Sequence, residues 1–109
     1  MGALRRLALA ATVLSTAACG EGGPEPRTRS VAIRGFAFDP AVLEVAAGDT
    51  VVWSNEDLVP HTATAAGREW DTGSIGAGES ARVVVRGRGR QVYVCALHPG
   101  MRAEIVAHE

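Results

Sequence analysis

From residue 30 the chain carries six short stretches of alternating or continuous apolar residues, separated by segments rich in glycine, proline, asparagine and aspartate. They fall at 30–34, 42–45, 50–54, 81–86, 91–95 and 103–107, and Val, Ile, Trp and Tyr recur in them. Short β-branched and aromatic runs bounded by turn formers read as strands. In the fourth stretch Val83-Val84-Val85 blurs the alternation, which predicts a strand packed on both faces. Ala47-Gly48-Asp49 and Gly87-Arg88-Gly89 supply hairpin-type connections. No heptad, sustained helical period or internal repeat runs through the chain. The expectation is an all-β domain, a β-sandwich or small barrel, with Trp53 and Tyr93 in its core and Trp70 as a lid on its edge. Residues 58–78 hold Pro60, Gly67, Gly73, Gly76 and Gly78 and read as loop with at most brief strands.

The N-terminus follows a different pattern. In residues 1–18, Arg5 and Arg6 precede a short apolar run of mostly small residues. The run is below the roughly 20 apolar residues that span a bilayer. It has the layout of a signal peptide. Ser15-Thr16-Ala17-Ala18-Cys19 resembles the lipobox of bacterial lipoproteins, in which the Cys is acylated, although Thr16 stands where that pattern prefers Leu. Cys19 is therefore the expected lipidation site, with simple secretion as the alternative. Residues 19–29 include Gly20-Glu21-Gly22-Gly23-Pro24-Glu25-Pro26, an acidic tether with nothing apolar to bury. The expected plan is a signal peptide at 1–18, a tether at 19–29 and one folded domain at 30–109. That domain would work in the periplasm or cell envelope, touching membrane only through the lipid anchor.

Composition narrows the function. With 109 residues, 47% hydrophobic and 21% charged, the chain holds one small globular domain. All 11 basic residues are Arg; losing Arg5 and Arg6 leaves 9 Arg against 12 acids, a mature charge of −3. That balance argues against nucleic acid. Two cysteines, one of them at the leader junction, build no disulfide scaffold. The Arg86, Arg88 and Arg90 cluster reads as a solvated turn, and His108 as an exposed tail residue.

The chemistry sits in four residues. Cys95, His98 and Met101 form a C-x2-H-x2-M run between the last two predicted strands, and His61 lies upstream after Pro60. A lone Cys is usually a small buried hydrophobe and a lone Met a gap filler. Together, a thiolate, two imidazoles and a thioether make the His2Cys set with a weak axial Met that serves copper electron transfer. Cu(I) favours soft sulfur and Cu(II) favours imidazole, so a rigid intermediate site limits rearrangement when an electron moves.

From about residue 36 to 109 the chain resembles the plastocyanin/amicyanin-like blue copper proteins, the cupredoxins. The segments that carry the likeness are Phe36-Ala37-Phe38-Asp39-Pro40, residues 44–53, residues 55–61, and Tyr93-Val94-Cys95 through Met101. The resemblance implies a Greek-key β-sandwich and one type 1 copper ion held by His61, Cys95, His98 and Met101. It also implies that Asn55 and Pro60 support the site, with the backbone amide of Asn55 directed at the sulfur of Cys95. Ala96 follows the Cys where relatives often carry a hydroxyl residue, which would weaken that bracing. Gly100 replaces a bulkier residue, which would loosen the loop.

The leading expectation is an exported one-electron carrier and not an enzyme, because four protein ligands leave no open position for a substrate. Its partners would be redox proteins that meet a monomer at an apolar patch around His98. A copper delivery or storage module is the alternative.

Overall fold

Every second residue of β1 (Thr28–Arg34), β3 (Val42–Ala46), β4 (Thr50–Asn55) and β8 (Arg102–His108) turns inward over most of its length. Val31 and Ile33, Leu43 and Val45, Val51 and Trp53, and Ala103, Ile105 and Ala107 are all buried. This is the period-2 pattern of a sheet with one face on a core. The computed structural model describes residues 25–109, together with Gly2. The rest of the expected signal peptide, Cys19 and the first part of the expected tether lie outside the described residues.

Four further strands complete two four-stranded sheets: β2 (Ala37–Asp39), β5 (Thr64–Ala65), β6 (Ser80–Val84) and β7 (Gly89–Val94). One sheet runs β2-β1-β4-β6 and the other β3-β8-β7-β5. β1 pairs with β4, and β3 with β8, in parallel; all other pairs are antiparallel. Core residues from both sheets form one cluster. Within it the ring of Trp53 meets that of Tyr93 at 5.5 Å, and Trp70 lies against both. The all-β sandwich is as expected, and Trp70 covers its edge.

Three details differ from the sequence reading. The first strand begins at Thr28, which pairs with Thr50, so the domain starts inside the expected tether. β2 had no apolar run to announce it, whereas β5 is one of the brief strands allowed in residues 58–78. β6 is not packed on both faces: it is the edge of its sheet, bonded to β4 alone, and Val84 is 46% exposed. An edge strand with a single core face explains why three consecutive valines do not all go inside.

The turn before β4 depends on Asp49. Its buried carboxylate accepts the N–H of Arg27 at 2.8 Å and of Ala46 at 2.9 Å. Those bonds hold its pKa below the ordinary 3.8, against the opposing effect of burial. A depressed carboxylate stabilises the fold fully above the ordinary value and loses that contribution as pH falls through the lower folded one. Asp49→Asn is expected to cost about 2 kcal/mol at neutral pH. Urea melts should show the gap to the natural protein closing below pH 3.8; an equal gap at pH 7 and in acid would contradict this role.

Candidate metal centre

Cys95 directly follows β7 and Met101 directly precedes β8, so the residues between them form the connection of an antiparallel pair. Three backbone bonds shape it: Cys95 N–H to the Met101 carbonyl at 3.1 Å, His98 N–H to Cys95 at 3.3 Å, and Met101 N–H to His98 at 2.9 Å. Cys95 and Met101 are buried, while His98 is half-buried. His61 arrives from the loop after β4, pinned by reciprocal backbone bonds with Ile75 at 3.1 and 2.7 Å. It is fully buried.

The donor atoms converge. Cys95 Sγ lies 3.7 Å from Nδ1 of His61 and 3.6 Å from Nδ1 of His98. Ligand atoms of all three residues fall within 4.8 Å of one another. A metal bonded about 2.05 Å to nitrogen and about 2.3 Å to sulfur, at angles between tetrahedral and trigonal, separates those atoms by about 3.6–3.8 Å. The spacing therefore suits one ion shared by the three. Met101 sits at the same end of the sandwich, at the foot of the same loop.

The neighbours of these residues set their orientation. The carboxylate of Asp57 lies 2.8 Å from Nε2 of His61, which fixes the ring with Nδ1 toward the sulfur. Asp57 also accepts the N–H groups of Phe36 and Gly35. The Phe36 bond is the leading cause that holds its pKa below the ordinary carboxylate value; Gly35 and His61 act the same way, against burial. The N–H directed at Cys95 Sγ belongs to Thr62, at 3.3 Å. It does not belong to Asn55, whose backbone N–H is spent on the Glu79 carbonyl at 2.9 Å. Asn55 instead braces the His61 loop: its Nδ2 donates to the carbonyls of Val59 and Ile75, and its Oδ1 accepts from the Asp57 N–H. Ala96 has no hydroxyl to offer, but a different hydroxyl spans the site: Thr62 Oγ1 accepts the Ala96 backbone N–H at 2.8 Å. Bracing across the site therefore survives the alanine after Cys95.

The copper-binding proteins of the plastocyanin/azurin family match residues 27–108. The chain belongs to that family. Its cofactor is one copper ion, which suits the soft-to-borderline donor set just described. Among solved structures it is similar to a copper-containing nitrite reductase from Thermus scotoductus SA-01, at 32% identity and a TM-score of 0.68 over 80% of this chain. It spans 23% of that reductase's length. A reduced point variant of amicyanin matches at 24% identity and a TM-score of 0.68, over 74% of this chain and 82% of amicyanin. A purple cupredoxin from Nitrosopumilus maritimus matches at 22% identity and a TM-score of 0.67, over 72% of this chain and 98% of that one. These likenesses bear out the cupredoxin sandwich.

Not every residue singled out in the sequence belongs to this candidate site. Pro60 is exposed and joins the group only through its peptide bond to His61. His108 closes β8 at the opposite end, with its ring 3.4 Å from Glu44. Arg88 pairs with Glu109, both exposed, and the exposed Arg90 pairs with the half-buried Glu104 at 3.2 Å. Such surface pairs contribute little to stability. Asp57 and Thr62 were missed as supports. Their only signal was proximity, four residues before His61 and one after it.

Proposed function

We propose that the protein is an exported one-electron carrier in which His61, Cys95, His98 and Met101 hold its single copper ion. The observation that carries this reading is the convergence of two imidazole Nδ1 atoms on one buried thiol, at the spacing of a shared metal. When bound, copper supplies the one-electron couple between Cu(II) and Cu(I). The chain's own residues keep that centre rigid. Asp57 fixes His61, Thr62 donates to the sulfur, and the backbone bonds of residues 95–101 hold the loop. A donor set held in this way favours electron transfer over release of the metal, which is what separates it from a delivery or storage module. Enclosure by the fold and four protein donors leaves no position for a substrate, so the chain itself is read as non-enzymatic. Amicyanin has been solved in both reduced and oxidised states, which accords with a redox role.

Redox partners would meet the protein, acting as a monomer, at the apolar surface around His98. Leu58 is 94% exposed, and Phe36, Val59 and Leu97 are also open to solvent. Weak redox encounters bury little area and need fast release, which suits apolar contact without strong ion pairing. A leader ending at Cys19 would put the carrier at the cell envelope, lipid-anchored or secreted.

Two measurements test this. Titrating the purified domain with Cu(II) should produce an intense visible thiolate-to-copper band that bleaches and recovers through redox cycles. Colourless Cu(I) binding with transfer to an acceptor would favour the delivery module. Leu58→Glu or Leu97→Glu should slow electron exchange with a redox partner about tenfold while leaving the visible spectrum unchanged. Equal rates in both variants would move the docking surface elsewhere.

A further inference from the structure

The turn between β1 and β2 contains a residue that turn chemistry disfavours. Arg34 pairs with Ala37, so Gly35 and Phe36 alone make the connection. Both have left-handed backbones, with φ of 59° and 58°. Two-residue hairpin turns with positive φ at both positions strongly favour Asn-Gly, Asp-Gly or Gly-Gly. A bulky side chain in that conformation is a true outlier. Here an aromatic residue occupies the second position.

The surroundings force it to stay. Asp57 Oδ1 accepts the Gly35 N–H at 2.7 Å and Oδ2 accepts the Phe36 N–H at 2.9 Å. The same Oδ2 lies 2.8 Å from His61 Nε2. One carboxylate thus fixes both the buried imidazole and the turn that carries the ring. The ring then stands edge-on to both histidines, 5.2 Å from His61 and 5.0 Å from His98, at interplanar angles of 90° and 87°. Its other side faces solvent, with the residue 52% exposed.

Strained backbone that a structure over-determines in this way clusters at functional sites. Plain core packing does not explain it, because a residue half open to water buries little of its ring. We infer that Phe36 is a cap on the copper centre. Its inner edge closes the solvent side of the His61–His98 pair and keeps water and small ligands from the imidazoles and the Cys95 sulfur. It holds His98 against the loop without bonding to any reacting atom, so it is a positioning residue. The inference rests on the copper-ligand reading of those residues, but the shielding it describes exists without the metal.

The test uses the full chain and follows Cys95 itself, by mass analysis of its peptide, so that Cys19 does not interfere. In metal-free protein, Phe36→Ala and Phe36→Gly should raise the rate of Cys95 alkylation by iodoacetamide about tenfold or more, and Phe36→Leu by much less. In copper-loaded protein the Ala and Gly variants should lose metal to a chelator faster by a similar factor. Phe36→Gly separates a cap from a structural role. Glycine tolerates the left-handed turn, so the melting temperature should hold while both rates rise. Unchanged alkylation in the Ala and Gly variants overturns the cap. A thiol that is shielded in the natural protein and exposed by Phe36→Gly, in a chain that takes up no copper, leaves the cap standing and sinks only the metal reading.

Discussion

Replacing Cys95 by Ser is expected to abolish the visible absorption of the copper-loaded protein completely. The thiolate is the donor of the charge-transfer band, and Cys95 is the one thiol at the point where both imidazole Nδ1 atoms converge. The substitution is small and local. Ser keeps the shape of the buried side chain, and its hydroxyl oxygen accepts the N–H that Thr62 now directs at sulfur. The metal-free fold should therefore change in stability by only about 1 kcal/mol. The check is a Cu(II) titration read in the visible range beside a urea melt of the metal-free variant. A variant that folds and still turns blue would remove Cys95 from the ligand set. A variant that loses its colour together with its fold would be replaced by Cys95→Ala, which puts no polar atom in the buried site, although it leaves the Thr62 N–H without that acceptor.

The second large effect is expected at Asp57, which touches no metal. Its carboxylate holds the Nε2 side of His61 and closes the Gly35–Phe36 turn through both backbone N–H groups. Removing such an outer partner of a metal-ligating histidine typically costs about 10–100-fold in metal affinity. Asp57→Ala should fall in that range in a competition with a chelator of known affinity. Asp57→Asn retains one oxygen acceptor and should fall between Asp57→Ala and the natural protein. The ordering separates positioning from a loss of folded protein, provided far-UV dichroism confirms that both variants are folded. An affinity within twofold of the natural protein for Asp57→Ala would mean that the reciprocal backbone bonds with Ile75 alone position His61.

Much of this fold was legible residue by residue. Val31 and Ile33, Val51 and Trp53, and Ile105 and Ala107 stand at alternate positions of short apolar runs, and all of them face the core. The two shortest strands were the hardest to place, for a physical reason. β2 is three residues long and β5 two, too short for a periodic signal, and pairing partners elsewhere in the chain define them. β6 misled because three valines in a row look the same whether a strand is central or at an edge. Only its position beside β4, with no strand beyond, exposes Val84.

The candidate site divides along the same line. Cys95, His98 and Met101 were readable because a short loop between neighbouring strands must bring them close, and His61 because its chemistry completes the set. The choice of Thr62 over Asn55 as donor to the sulfur was not readable. It depends on strand register, which commits the Asn55 N–H to Glu79 and leaves the Thr62 N–H facing Cys95. The clasp by Asp57 and the placement of Phe36 over two imidazoles likewise join a turn of one sheet edge to a loop far along the chain. Alternation, turn residues and donor chemistry are local properties, so the sequence by itself determined an all-β domain and a copper-suited set of candidate ligands. Which groups brace, orient and cover those ligands is decided by contacts across the sandwich, and only the tertiary structure brings such distant residues together.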